Sequence, residues 1–270
     1  NFNMKLFIIN TIKFILFLTV VLFAFDYVFT TGFKKKKGGP YVEWNQIING
    51  EIGSDIIING NSTAWVQISP SILDSILSLK SYNFGIDGHD FFMQFARYNL
   101  YKKYNGSPKV IIQVVDFSST LKKRSDLYGI NQFLPYMDEK IIREATASYP
   151  NTFKFFDYYF PLIRYRFSNN VLVSLPSSFL SFFGIYSGTP TRYKGYKGQE
   201  RKWNEDSYIK FKKNYPNGVD GIPSDINLKL FNTFVNDAKK SGTKIIIVFS
   251  PMYIESQKLV NGKEKTINYV

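Results

Sequence analysis

Residues 55–64 read Asp-Ile-Ile-Ile-Asn-Gly-Asn-Ser-Thr-Ala, an apolar run that stops at Gly60 and passes directly to Asn61 and Ser62. The branched residues before the glycine predict a short strand buried on both faces, the kind found in parallel sheets. A glycine at its end lets the chain turn sharply and present the Ser62 hydroxyl at the carboxyl end of the strand, where open α/β sheets place their ligands. Ser62 is therefore the candidate nucleophile. A turn serine that caps a helix is the other reading of the same pattern.

Working outward, the regular segments on either side repeat one theme. Ser69 before Pro70 is an N-cap with proline at the first helical position, so 70–80 is expected as helix. Residues 82–85 read as a second strand, 89–104 as an amphipathic helix closed by Asn105 and Gly106, and 109–115 as a third strand with Asp116 just past its end. After Ser224, the residues Leu228, Phe231, Phe234, Val235 and Ala238 fall at helical spacing, Gly242 sits where a C-terminal cap belongs, and 244–249 reads as a fourth buried strand. This alternation predicts an α/β fold with a doubly wound parallel sheet.

Two regions do not fit the alternation. Residues 117–223 read as an irregular, aromatic-rich helical insertion. Within it, 171–186 is apolar but interrupted by Pro176 and short for a membrane crossing, and so is expected as a buried helix. Residues 6–29 are almost wholly apolar, long enough for one crossing, and lack a small-x-small cleavage site, which predicts an uncleaved anchor rather than a signal peptide. A buried helix of a soluble domain is the competing reading. The expected organisation is thus an anchor at 1–33, a linker at 34–46 around Gly38, Gly39 and Pro40, and an α/β domain at 47–270.

Composition narrows the chemistry. The net charge of +13 favours acidic partners or an anionic membrane surface, but the basic residues are spread along the chain, and no nucleic-acid partner is expected. With no cysteine there is neither a disulfide nor a thiolate metal site. No phosphate-cradling glycine loop, metal-spaced carboxylate cluster or dinucleotide fingerprint is present, so no metal and no cofactor is expected. Asp55 and Asp87 are expected to satisfy backbone donors at a strand start and a turn. His89 is the sole histidine.

Four blocks together resemble the SGNH-hydrolase superfamily, in its membrane-anchored branch related to bacterial polysaccharide and teichoic-acid acyl-transfer proteins. They are Gly60-Asn61-Ser62-Thr63-Ala64, Asn83-Phe84-Gly85-Ile86-Asp87-Gly88, the strand into Asp116, and the strand into Ser250-Pro251-Met252-Tyr253. The resemblance implies a flavodoxin-like sheet and Ser62 as nucleophile. It implies an oxyanion held by the backbone N–H groups of Ser62 and Gly85, in a site lined by Gly60, Asn61, Asn83 and Asp116. It also implies an acyl donor, a glycan acceptor and an acyl-carrying membrane partner, with residues 6–29 in the membrane and the domain outside the cytoplasm. Lys34–Lys37 argue for the opposite orientation.

The chain departs from that family in two places. Where the third block carries an asparagine, this chain has Asp116, which is expected to orient a neighbour or bind backbone amides, with Asn83 as a substitute donor. The general base comes from an Asp-x-x-His block after a fifth strand, and nothing after Val248 contains it. His89 is the substitute base, and a surface or capping histidine is the plainer alternative. The chain also stops short of the elements that complete the family's sheet, so either a fragment of a longer frame or an inactive relative is expected. Tyr193, Tyr196 and Trp203 are candidates for stacking on sugar rings, against the alternative of a solvated loop. The implied function is transfer or hydrolysis of O-acyl esters on a cell-envelope or exported polysaccharide. The rival is a catalytically inactive scaffold.

Overall fold

Short β-branched runs separated by helix-forming segments produce the elements anticipated. The computed structural model describes residues 4–150, 152–167, 169–186, 188–200, 202 and 204–270. In chain order the α-helices among the described residues are α1 (Met4–Lys34), α2 (Val42–Ile48), α3 (Ser62–Gln67), α4 (Pro70–Leu77), α5 (Phe91–Asn105) and α6 (Lys140–Ala147). They continue with α7 (Phe155–Tyr159), α8 (Asn169–Phe182), α9 (Asp206–Asn214), α10 (Asp225–Lys240), α11 (Ile254–Lys258) and α12 (Lys263–Tyr269). The strands are β1 (Ile56–Asn59), β2 (Ser81–Asn83), β3 (Val110–Val115), β4 (Val219–Asp220), β5 (Lys244–Phe249) and β6 (Val260–Asn261). Two compact units result. A helical unit comprises 1–45, 130–147 and 151–190, and a sheet unit comprises 46–129, 148–150 and 191–270.

The sheet unit is α/β, with a four-stranded parallel sheet in the order β2-β1-β3-β5. Ile57 of β1 lies opposite Tyr82 and Ile111, and Ile111 opposite Ile245. Every residue of β1 is buried, as a central parallel strand requires. β2 lies on one side of β1 and β3 on the other, so the strand order changes direction at the β1/β3 boundary. Helices α5 and α10 pack on each other through aromatic side chains, with Phe234 edge-on to both Phe91 and Tyr98. Asp90 caps α5 by accepting the Met93 amide, and Gly106 ends it at φ +81°, a conformation that only glycine adopts freely. β5 departs from the expected buried strand. It pairs only with β3, forms the sheet's edge among the described residues, and leaves Ile246 exposed. Two-residue strands β4 and β6 make a separate parallel pair.

In the helical unit the structure corrects two expectations. Residues 34–46 are not a free linker. Tyr41 and Trp44 are buried, Trp44 Nε1 donates to Gln132 Oε1 (3.0 Å), and Asn45 Nδ2 donates to the carbonyls of Phe33 and Lys36. Nor is the 171–186 segment a buried helix. α8 packs one side against the end of α1, where a Cβ on Gly32 would lie 1.9 Å from the Ser178 carbonyl oxygen, and leaves Leu172, Val173, Phe179 and Phe183 exposed. The insertion is also narrower than 117–223, since residues 117–129 and 191–223 belong to the sheet unit.

Candidate functional site

Helix α3 begins immediately after β1 and is held by side chains from the carboxyl ends of the other strands. At its start Asn61 is the N-cap. Its Oδ1 accepts from the Thr63 amide (3.0 Å) and the Thr63 hydroxyl (2.8 Å), and its Nδ2 donates to Asp116 Oδ2 and to Ser119 Oγ (3.1 Å). At its end the Asn83 amide nitrogen donates to the Ala64 and Ile68 carbonyls, each at 2.8 Å. On the β5 side Ser250 Oγ donates to Gln67 Oε1 (2.7 Å). β3, β2 and β5 therefore each contribute one polar side chain, or the residue next to the strand, to fixing a helix of six residues.

Two glycines make the close packing feasible. A Cβ on Gly60 would lie 2.6 Å from the Ala64 Cβ, and one on Gly85 would lie 2.2 Å from the Trp65 backbone nitrogen. Gly85 thus admits the backbone of α3. Its N–H donates to Asn83 Oδ1 at 2.7 Å. This changes the roles expected for this pair. Asn83, fully buried, has both halves of its amide engaged, and the Gly85 amide is occupied, so neither is an open donor for an oxyanion.

Asp116 behaves as anticipated for a carboxylate at this position. Oδ1 accepts the amides of Ser118 (2.8 Å) and Ser119 (2.6 Å), while Oδ2 accepts the Ser119 and Thr120 hydroxyls and Asn61 Nδ2. Burial pushes its pKa up, but the hydrogen bonds from Ser119, Ser118 and Asn61 outweigh burial and hold it below the usual carboxylate range. It is a charged clamp that joins the β1 and β3 loops.

Ser62 is the first residue of α3 and half-buried. Neither its hydroxyl nor its backbone amide has a hydrogen-bonding partner among the described residues. His89 does not bond to Ser62. It is buried just before the Asp90 cap, and burial, then the positive charges of Arg97 and Arg124, hold its pKa far below the usual histidine value. A histidine so held is neutral at physiological pH. Behind it runs a buried polar chain that the sequence pattern did not disclose. Asn59 donates to Gln113 (2.9 Å), Gln113 to Gln94 (3.0 Å), and Gln94 to the His89 carbonyl (2.9 Å). Arg97 reaches the Gly60 carbonyl at 3.3 Å.

Beyond Ser119 lies a cavity of about 930 Å3, with Ser118, Lys122, Lys123, Arg124, Phe211 and Met252 among its lining residues. Lys123 is its most perturbed group. Burial lowers its pKa to about 8 against the opposing pull of Asp90, whose carboxylate lies 3.8 Å away, and its ammonium sits 3.0 Å from the centre of the Tyr149 ring. Asp90 also accepts the Tyr149 hydroxyl (2.7 Å) and the Arg124 amide (2.8 Å).

The aromatic loop is elsewhere. Tyr193 and Tyr196 pair backbone to backbone in a tight turn, and the turn's Lys194 carbonyl accepts the Asn83 amide at the edge of β2 (2.9 Å). Tyr193 is exposed and Tyr196 half-buried; Trp203 lies outside the described residues. An unanticipated aromatic, Trp65 of α3, carries Arg192 (4.3 Å) and Lys197 (5.7 Å) over its ring. Its neighbourhood to Ser62 was readable in the sequence, but the cations come from far along the chain. Asp55 accepts the Lys80 amide at a strand start, as expected. No group of three or more metal-ligating side chains occurs among the described residues. The chain matches no family model, no curated protein and no solved structure.

Proposed function

We propose that the sheet unit is a doubly wound SGNH-like domain that transfers or hydrolyses O-acyl esters of a cell-envelope or exported polysaccharide through an acyl ester on Ser62. The observation that carries the reading is Ser62 itself, with a hydroxyl and an amide unpartnered among the described residues, on a helix pinned at the β1/β3 boundary. Ser62 Oγ attacks the ester carbonyl, its proton passes to a base, and the alcohol departs. A sugar hydroxyl or water then takes the acyl group and returns the proton. The Ser62 amide meets the developing oxyanion. The cavity beside Ser119 takes the acceptor, hydroxyls and cations facing its polar groups and Phe211 and Met252 its apolar face. This reading requires a proton acceptor for Ser62, and none of the described residues is in hydrogen-bonding contact with its hydroxyl.

In this reading α1 is a retained anchor. Supporting it, the last turns of α1 are part of the helical unit's interior, with Phe33 fully buried and Asp26 paired to Arg164. Placement outside the cytoplasm rests on the family resemblance alone. A second reading, an inactive scaffold that binds glycan, is favoured by the engaged Gly85 amide and the lack of a described base at Ser62.

A fluorophosphonate probe applied to the full-length protein separates them. Labelling of the native protein that disappears in Ser62→Ala supports the acyl-enzyme, and equal labelling of the variant removes Ser62 from the chemistry. No labelling of either, with α3 intact by hydrogen exchange, selects the scaffold.

A further inference from the structure

Helix α1 has two stretches with different surroundings. From Met4 to Phe25 it is apolar and largely exposed, roughly 20 residues or about 30 Å, the thickness of a bilayer's hydrocarbon core. From Asp26 onward it is built into protein. Asp26 accepts the Leu162 amide (2.8 Å) and pairs with Arg164, Thr30 bonds to the Tyr165 hydroxyl (2.6 Å), and Lys36 Nζ donates to Ser177 Oγ (2.6 Å). α8 runs back along this second stretch. Lys36 meets Ser177, Gly32 meets Ser178, Phe29 meets Phe179 and Tyr27 meets Phe182, so the C-terminal end of α8 points toward the apolar stretch.

The surface beside that point is apolar and faces away from protein. Just past α8, Phe183 is 58% exposed and Ile185 is 71% exposed. On α7, Phe155 is 64% exposed, with Phe156 and Tyr159 also outward, and these rings pack on one another rather than on a core. α7 contacts the 163–167 turn that carries Arg164, and so joins the same level of α1 as Asp26. Between α1 and α8 lies a groove of about 360 Å3 lined by Phe29, Leu175, Pro176, Phe179 and Leu180, all apolar. Lys35 and Lys36 are occupied with α8, donating to the Phe182 carbonyl and to Ser177, which leaves apolar contact as the dominant chemistry of this face.

We propose that α7, α8 and the 183–186 segment form a collar that lies in the headgroup–acyl boundary of the bilayer, with lipid acyl chains against the Phe29–Phe179 groove. The occupant is lipid because the face is continuous with a helix whose exposed length matches the bilayer. Aromatic and aliphatic residues exposed in a contiguous patch mark such interfacial surfaces. The proposal rests on the reading of α1 as a retained anchor.

The chain has no cysteine, so single-cysteine variants label uniquely. The full chain is placed in phosphatidylcholine–phosphatidylglycerol vesicles carrying an environment-sensitive dye at one of Phe155→Cys, Phe183→Cys, Ile185→Cys, Ile15→Cys on α1, or Ile76→Cys, the last being 72% exposed on α4 of the sheet unit. Dye at 155, 183 and 185 is expected to resist iodide several-fold better than at 76, and to be quenched by lipids with a nitroxide near the headgroup. Dye at 15 is expected to respond to nitroxides deep in the chains. If 155, 183 and 185 are as open to iodide as 76 while 15 is in lipid, the collar is overturned and the anchor stands. If 15 is open to iodide too, the anchor falls and the collar with it.

Discussion

In the sheet unit Asn61, Asn83 and Asp116 lie inside the protein, and each of their side-chain nitrogens and oxygens has a partner. In the helical unit Phe155, Val173 and Ile185 stand outside it, with no core to enter. The first region spends polar groups on one another to hold a short helix, because an unanswered buried polar group is expensive. The second leaves apolar groups outward as a cluster of rings, and the lipid boundary proposed above is the surrounding that suits them.

The comparison is most sharply tested at Asp116. Asp116→Ala leaves Asn61 Nδ2 and the Ser118 and Ser119 amides without their acceptor, and is expected to lower the opening free energy of the β1 amides, measured by hydrogen exchange, by about 3 kcal/mol. A change below about 1 kcal/mol would show that the clamp is ornamental. Gly85→Ala comes next, at about 2 kcal/mol, because the new Cβ must push the Trp65 backbone aside. An unchanged value would mean that α3 moves freely.

The titrating groups give signs that can be checked. His89 and Asp116 both have folded pKa values below the ordinary values of 6.5 for histidine and 3.8 for aspartate. The unfolded chain binds those protons first, so stability falls as pH drops below about 6.5 and falls further below about 4. His89→Gln should flatten the first of these two limbs in an acid unfolding series. Lys123 has the same sense on the alkaline side. Its folded pKa of about 8 lies below the usual lysine value of 10.5, so the folded form releases its proton earlier and stability rises with pH between those values. In reductively methylated protein, the Lys123 resonance should titrate near 8. A midpoint above 10 would show that the ammonium is not buried.

The smallest effects belong to the groups without protein partners. Ser62→Ala and Val173→Ser should each change unfolding by less than about 0.5 kcal/mol, since neither side chain is built into a packed or bonded interior. A large loss at Ser62 would make it a structural cap.

Much of the sheet was legible beforehand because strands buried on both faces write short unbroken apolar runs and amphipathic helices a period of 3.6. The expected strands at 55–59, 82–85 and 109–115 became 56–59, 81–83 and 110–115. Asp116 was legible in part, since its place just past a strand end shows that it can receive amide hydrogens but not that Ser118, Ser119 and Asn61 supply them. Gly85 was legible only in part. Its sequence says that something approaches the backbone closely, but not whether a ligand or Trp65 does so. The Gln94–Gln113–Asn59 chain was invisible, because single polar residues within apolar runs carry no period that identifies their partners. The α8 segment misled for a related reason. Apolar composition indicates that a helix avoids water, and a protein interior and a lipid boundary satisfy that demand equally.

From residue order alone came the alternation of strand and helix, the apolar length of α1, the absence of cysteine and the presence of a serine after β1. These depend on local composition and on periods that the backbone geometry enforces. Three-dimensional packing decided that α3 is locked by Asn61, Asn83 and Gln67, that the Gly85 amide has a partner while the Ser62 amide has none among the described residues, and that α8 turns an apolar face outward. Those outcomes depend on residues tens to nearly two hundred positions apart, and only the folded chain determines which of them meet.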